Sequence, residues 1–79
     1  MSAKERVLQT LRKYARLGIN DGWVSAVRLA QPDCGGLAAR TRISDLRKEG
    51  YIIDSRRVEG KSYYEYRLIE EVMSNAENN

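Results

Sequence analysis

Histidine is absent from the 79 residues, and cysteine and proline occur once each, as Cys34 and Pro32. Without histidine the chain lacks the commonest general base and the commonest metal ligand. One cysteine and no histidine cannot assemble a structural zinc site. A lone cysteine also has no internal disulfide partner, so a reducing cytoplasm is the expected setting. Cys34 reads as a small, semi-buried residue rather than a reactive thiol. No apolar run approaches the ~20 residues needed to cross a bilayer, so no membrane partner is expected. The amino terminus, MSAKERVLQTLRKY, mixes charges into its apolar pattern, unlike a secretory signal. The serines have no evident base to activate them, and no glycine loop is built to cradle a nucleotide. No catalytic residue, cofactor, metal or small-molecule substrate is therefore expected, and the inventory argues against an enzyme.

What is present suits one small soluble domain. Apolar residues make up 42% and charged residues 32%, the range of a globular chain rather than a disordered one. Seventy-nine residues leave room for one thin core. The net charge of +3 is unevenly spread: residues 70–79 carry Glu70, Glu71 and Glu77 and no base. Removing those three from the 11 acids leaves 8 against 14 bases, a net of +6 over residues 1–69. A basic body, 1–69, followed by an acidic and largely disordered tail, 70–79, suits a polyanionic partner.

Residues 2–17 read as a helix. Val7, Leu8, Leu11, Tyr14 and Ala15 fall on one face at helical spacing, and Arg6, Gln9, Arg12, Lys13 and Arg16 on the other. Ser2 is a fitting cap and Gly18 a fitting left-handed stop. The basic face reads first as a solvated surface, with contact to a phosphate as the alternative. Gly18-Ile19-Asn20-Asp21-Gly22 has the composition of a loop. Trp23-Val24 follows as a short extended piece, with Trp23 read as core. Ser25 caps a second helix, Ala26 to Gln31, stopped by Pro32. The run 32–36 reads as a turn. Helix three spans about Leu37 to Glu49, with Gly50 as its left-handed stop. Its buried stripe is Ala39, Ile43 and Leu46. Thr41, Ser44 and Lys48 then point away from that stripe, with Arg40, Arg42 and Arg47 on its flanks.

Residues 51–58 and 62–69 read as a β-hairpin. A two-residue loop at Glu59-Gly60 pairs Val58 with Lys61, Ser55 with Tyr64, Ile53 with Tyr66 and Tyr51 with Leu68. One face then carries most of the large apolar groups, and the other carries Ile52, Asp54, Arg56, Tyr63, Glu65 and Arg67. Arg56, Arg57 and Lys61 gather at the tip. All seven bases between Arg40 and Lys61 thus sort to helix three and the hairpin end.

The order helix, short strand, short helix, turn, helix, hairpin resembles the winged helix-turn-helix family, which includes many small bacterial and bacteriophage regulators. Ser25-Ala26-Val27-Arg28-Leu29-Ala30 resembles its second helix. The run from Ala39 to Ile53, with Arg-Ile-Ser-Asp-Leu-Arg closing on Gly-Tyr-Ile-Ile, resembles its recognition helix entering the wing, and Tyr64-Glu65-Tyr66-Arg67-Leu68 its closing strand. The resemblance covers about residues 3–69. It implies an α+β winged fold of three helices, a short strand and a C-terminal β-hairpin wing. It also implies binding of double-stranded DNA, with helix 37–49 in the major groove and the 56–61 wing on the backbone. Arg40, Thr41, Ser44 and Lys48 would then reach base edges. Arg42 and Arg47 would hold phosphates, as would Arg56, Arg57 and Lys61 of the wing. The Ser25 hydroxyl and the start of helix two would meet a phosphate. Glu59, which phosphate repels, argues against deep insertion of the wing.

The implied role is transcriptional regulation, or assembly of a phage or plasmid nucleoprotein complex, in the cytoplasm and at the nucleoid. A homodimer stays open, because small domains of this kind often bind DNA in pairs. The main alternative is a protein-interaction or dimerisation module, for which Tyr63 and Ile52 on the outer hairpin face are candidates. RNA or left-handed duplex is a lesser one, since the basic face has no aromatic platform for stacking single strands.

Overall fold

The computed structural model describes residues 2–31, 34 and 38–70. The remainder of the expected 32–36 turn, the start of helix three at Leu37 and the tail beyond Glu70 lie outside the described residues. The described residues are α+β, with three α-helices and a small antiparallel sheet of three strands, β1 (Val24–Ser25), β2 (Ile52–Arg57) and β3 (Tyr64–Glu70), in the order β1-β3-β2. No helix among the described residues is long and apolar enough to cross a membrane.

Helix α1, Ala3–Leu17, begins with a reciprocal cap. The Ser2 hydroxyl accepts from the Glu5 N–H, and the Glu5 carboxylate accepts from the Ser2 N–H, both at 3.2 Å. Two of the helix's orphan donors are satisfied this way. The helix ends at Gly18, left-handed at φ 68°, as the sequence implies. Its stripe Val7, Leu8 and Leu11 is buried. Asn20 (φ 49°) and Asp21 (φ 56°) continue left-handed through a tight turn, Ile19–Gly22. Asparagine and aspartate tolerate this region better than other side chains. The Asn20 amide Nδ2 donates to the Trp23 carbonyl (3.2 Å) and to the Glu65 carboxylate (3.1 Å).

Strand β1 is Val24–Ser25, and it pairs with the middle of the hairpin: Val24 opposite Tyr66 and Ser25 opposite Glu65. The extended piece expected at Trp23-Val24 thus falls one residue later, with Ser25 in place of Trp23 in the strand. Helix α2, Ala26–Leu29, is capped by the Ser25 hydroxyl, which accepts from the Arg28 N–H at 3.0 Å. It is shorter than the expected Ala26–Gln31. The Gln31 N–H turns back to the Arg28 carbonyl, a tighter closure just before Pro32, whose ring disfavours helical angles in the residue it follows.

Helix α3 is Ala39–Lys48. Ala39, Ile43 and Leu46 are all buried, as the spacing requires. Its end is a Schellman arrangement: Gly50 (φ 106°) donates to the Arg47 carbonyl, and Tyr51 donates to Leu46. The apolar stripes of α1 and α3 meet Val24, Leu29, Ile53, Tyr66 and Leu68 in one core, with Cys34 buried at its edge.

Strands β2, Ile52–Arg57, and β3, Tyr64–Glu70, form the hairpin in a register two residues from the expected one. Ile53 faces Leu68, Ser55 faces Tyr66 and Arg57 faces Tyr64. The cause is the turn. Val58 N–H donates to the Tyr63 carbonyl (3.1 Å), so four residues, 59–62, form the loop. Lys61 N–H closes a turn onto the Val58 carbonyl (3.0 Å), and only Gly60, at φ 77°, is left-handed. The favoured two-residue turns need positive φ at the first central position, and type I′ at both, which Glu59 does not adopt. A slip of two keeps every side chain on its original face, so the apolar sorting survives the changed pairing.

Candidate nucleic-acid interface

Helix α3 turns its buried stripe to the core and therefore exposes the opposite arc. Arg40, Thr41, Ser44, Arg47 and Lys48 are all exposed. At about 100° per residue, Thr41 and Lys48 stand outermost, Arg40, Ser44 and Arg47 lean toward the hairpin, and Arg42 leans away from it.

A groove of about 280 Å³ separates α3 from the hairpin, lined by Arg40, Ser44 and Arg47 on one wall and Ser55, Tyr64 and Tyr66 on the other. Tyr64 is 43% exposed there although Tyr66, two residues on, is buried. Ser55 and Tyr64 add two hydroxyls beside the arginines, and they were not among the residues singled out from sequence. Alternation along the strands was the available signal, since it puts both on the face that looks toward helix three.

The expected binding residues separate into groups. Arg40, Thr41, Ser44 and Lys48 form one continuous exposed ridge. Arg47 sits beside them, but its guanidinium is already engaged: Nε and Nη2 both donate to the Ile53 carbonyl, at 3.1 and 2.7 Å. Arg47 therefore ties α3 to β2. Arg42 lies on the far flank, paired with Asp45 at 3.4 Å, with its Nε buried and without a hydrogen-bond partner.

The expected tip cluster of Arg56, Arg57 and Lys61 is divided by the sheet. Arg57 is on the α3-facing side, and its Nε reaches the Lys61 carbonyl at 3.4 Å within the turn. Arg56 is on the outer side. Its Nε donates to the Glu65 carboxylate at 2.8 Å, and its guanidinium lies 4.1 Å from the centroid of the Trp23 ring. Arg67 approaches the same ring at 4.5 Å and Asp54 at 4.0 Å. Trp23 is only 6% exposed, yet it belongs to this outer cluster rather than to the main core. Val24 takes the core-facing position, so its neighbour Trp23 must turn outward. Two guanidiniums cover an indole that would otherwise be bare.

Ser25 lies apart from the ridge. Its hydroxyl oxygen is occupied by the Arg28 N–H, and its partner on β3 is the acidic Glu65. A phosphate approaching there would meet a carboxylate as well as a helix start. Among the described residues, no group of acidic, histidine or cysteine side chains converges to hold a metal ion. The chain matches no protein-family model, no characterised protein and no solved structure.

Proposed function

We propose that this chain is a winged helix-turn-helix domain that binds double-stranded DNA, with α3 in the major groove and the β2–β3 hairpin as the wing along the backbone. The observation that carries the reading is the ridge of Arg40, Thr41, Ser44 and Lys48, exposed along a helix whose other face is fully committed to the core. An α-helix fits the major groove, about 12 Å wide. Arginine can donate two bonds to a guanine edge, and the hydroxyls can reach bases or phosphates. The groove beside the ridge carries Ser55 and Tyr64, whose hydroxyls are suited to a sugar-phosphate strand running between helix and wing. Arg57 and Lys61 extend the positive charge along that path. Arg56 is assigned to the outer face of the sheet and not to the DNA contact. The corresponding cellular role is control of transcription, or assembly of a nucleoprotein complex.

The test is binding of a labelled random-sequence duplex, followed by fluorescence anisotropy, for the wild type and for Arg40→Ala with Lys48→Ala. On random sequence the loss comes from the two missing charges, about tenfold each at about 0.1 M salt through lost counterion release, so the paired variant binds at least about 30-fold more weakly. Its thermal melt stays at the wild-type value, because both side chains are exposed. Unchanged affinity in a folded variant would end the proposal.

The protein-interaction reading retains one specific observation: Ile52 is 51% exposed on the outer face of the edge strand. Ile52→Ser separates the two. It leaves duplex affinity intact under the DNA reading and abolishes self-association if that face is a dimer contact.

A further inference from the structure

The second concentration of positive charge lies on the other side of the core. Helices α1 and α3 both turn their apolar stripes inward to the same cluster, so their exposed faces look away from each other. A groove of about 690 Å³ runs between α1 and α2. Arg6, Arg12, Lys13 and Arg16 line its α1 side, Arg28 lines the α2 side, and Cys34 lies against it. No carboxylate lines it among the described residues. Two carboxylates on or against α1 lie elsewhere: Glu5 is held in the Ser2 cap, and Glu49 of α3 pairs with Lys4. Arg6, Arg12 and Arg28 make further contacts within the molecule, so the summed charge is what matters here and not any vacant partner.

The shape of this charge selects the ligand. From Arg6 to Arg16 the bases extend about 15 Å along the helix axis, at 1.5 Å per residue. A single small anion needs donors that converge on one point, whereas a row of this length matches an anion that repeats. Nucleic acid supplies one phosphate after another along each strand. Guanidinium groups, four of the five bases here, bind phosphate with two parallel hydrogen bonds.

We infer that the α1–α2 groove is a second phosphate-backbone site, so that one monomer holds two duplex segments, one on the α3 ridge and one on α1. The inference rests on the DNA-binding reading for the first of those sites. It makes the domain a bridge between DNA segments without requiring a dimer.

The experiment uses the full chain with two different duplexes, one fixed to beads and one fluorescent and free, and measures how much free duplex the beads capture. Single-duplex affinity and sedimentation of the DNA-free protein are measured alongside. The variant Lys13→Gln with Arg16→Gln alters two exposed residues outside the α3 ridge. It binds a single duplex within about threefold of wild type and loses capture at least tenfold. The ridge variant Arg40→Ala with Lys48→Ala also loses capture, and keeps only the weaker single-duplex binding of the groove. Capture that persists undiminished in the groove variant overturns the inference, and so does a wild type that binds one duplex and never bridges. A wild type that binds no duplex at all fails earlier and sinks the DNA-binding reading itself. A further arm adds polyglutamate to the wild type. If the wild type binds polyglutamate more tightly than the second duplex, and the groove variant loses that polyglutamate binding, an acidic protein is the better ligand and the second-duplex assignment falls.

Discussion

Arg56 stacks against Trp23 at 4.1 Å while its Nε holds Glu65 at 2.8 Å. Glu65 in turn accepts from Asn20 at 3.1 Å. The left-handed turn after α1, the first strand and the hairpin are therefore joined through one carboxylate and one indole. This cluster stabilises the fold from the outer face of the sheet and takes Arg56 out of the set available to DNA.

Arg56→Ala is expected to leave duplex affinity within about twofold of wild type and to lower stability by about 1 kcal/mol, the sum of a surface cation–π contact and a half-exposed ion pair. In a domain of this size that is a fall in melting temperature of roughly 4–8 °C. The emission of the single tryptophan should move to longer wavelength as the ring meets water. A large loss of DNA affinity with unchanged stability would return Arg56 to the binding surface.

Arg47 is likewise engaged within the fold, although it sits beside the ridge. Its fork covers the Ile53 carbonyl on β2, an edge strand of the sheet. An uncovered carbonyl there offers a start for pairing with another chain. Arg47→Ala should cost about 1–3 kcal/mol, the worth of charged hydrogen bonds to backbone. Arg47→Lys keeps the charge but cannot reproduce two donors converging on one carbonyl from a rigid fork, so it should bind DNA nearly as the wild type does and still melt lower. Denaturant titrations of both variants decide this. Full stability in the lysine variant would show that charge alone matters at this position.

Much of this architecture is local and hence readable from the chain. Ser2 before the first helix, Gly18 and Gly50 after their helices, and the Ala39-Ile43-Leu46 spacing each specify a feature within one or two turns of the residues concerned. The hairpin's face assignment was equally readable, because alternation requires no knowledge of the partner. Its register was not, because Glu59-Gly60 looks like a two-residue turn and only the backbone angle at Glu59 decides otherwise. The pairing of Val24 with Tyr66 joins residues far apart in sequence, and a two-residue strand carries no periodic signal. Trp23 shows the same difficulty: burial was expected of it, but the side of the sheet depends on that distant pairing. Separating Arg47 and Arg56 from the ridge also required coordinates, since one arginine in a basic stretch looks like any other until its hydrogen-bond partner is known.

The α1 cap has a definite pH signature. The Ser2 N–H and hydroxyl hold the Glu5 carboxyl below its ordinary value. A depressed folded-state value means that the stabilisation is present above the ordinary carboxylate range and is lost as pH falls through the folded value. Ser2→Ala should therefore reduce stability at neutral pH and make the acid limb of the stability curve shallower than that of the wild type. The Lys4–Glu49 pair acts at the other end. The Glu49 carboxylate raises the Lys4 value, so that contribution is present below the ordinary lysine value and fades as pH rises through the raised one. Urea melts across the acid range check the first statement. An acid limb of equal slope in both proteins would contradict it.

The salt dependence of duplex affinity tests the DNA-binding claim most directly. If Arg40, Lys48, Arg57, Lys61 and one further base engage phosphates or displace counterions, affinity falls roughly 500-fold between 50 and 200 mM salt, the slope expected for about five contacts. An affinity that stays level across that range would mean that the ridge on α3 does not bind a polyanion.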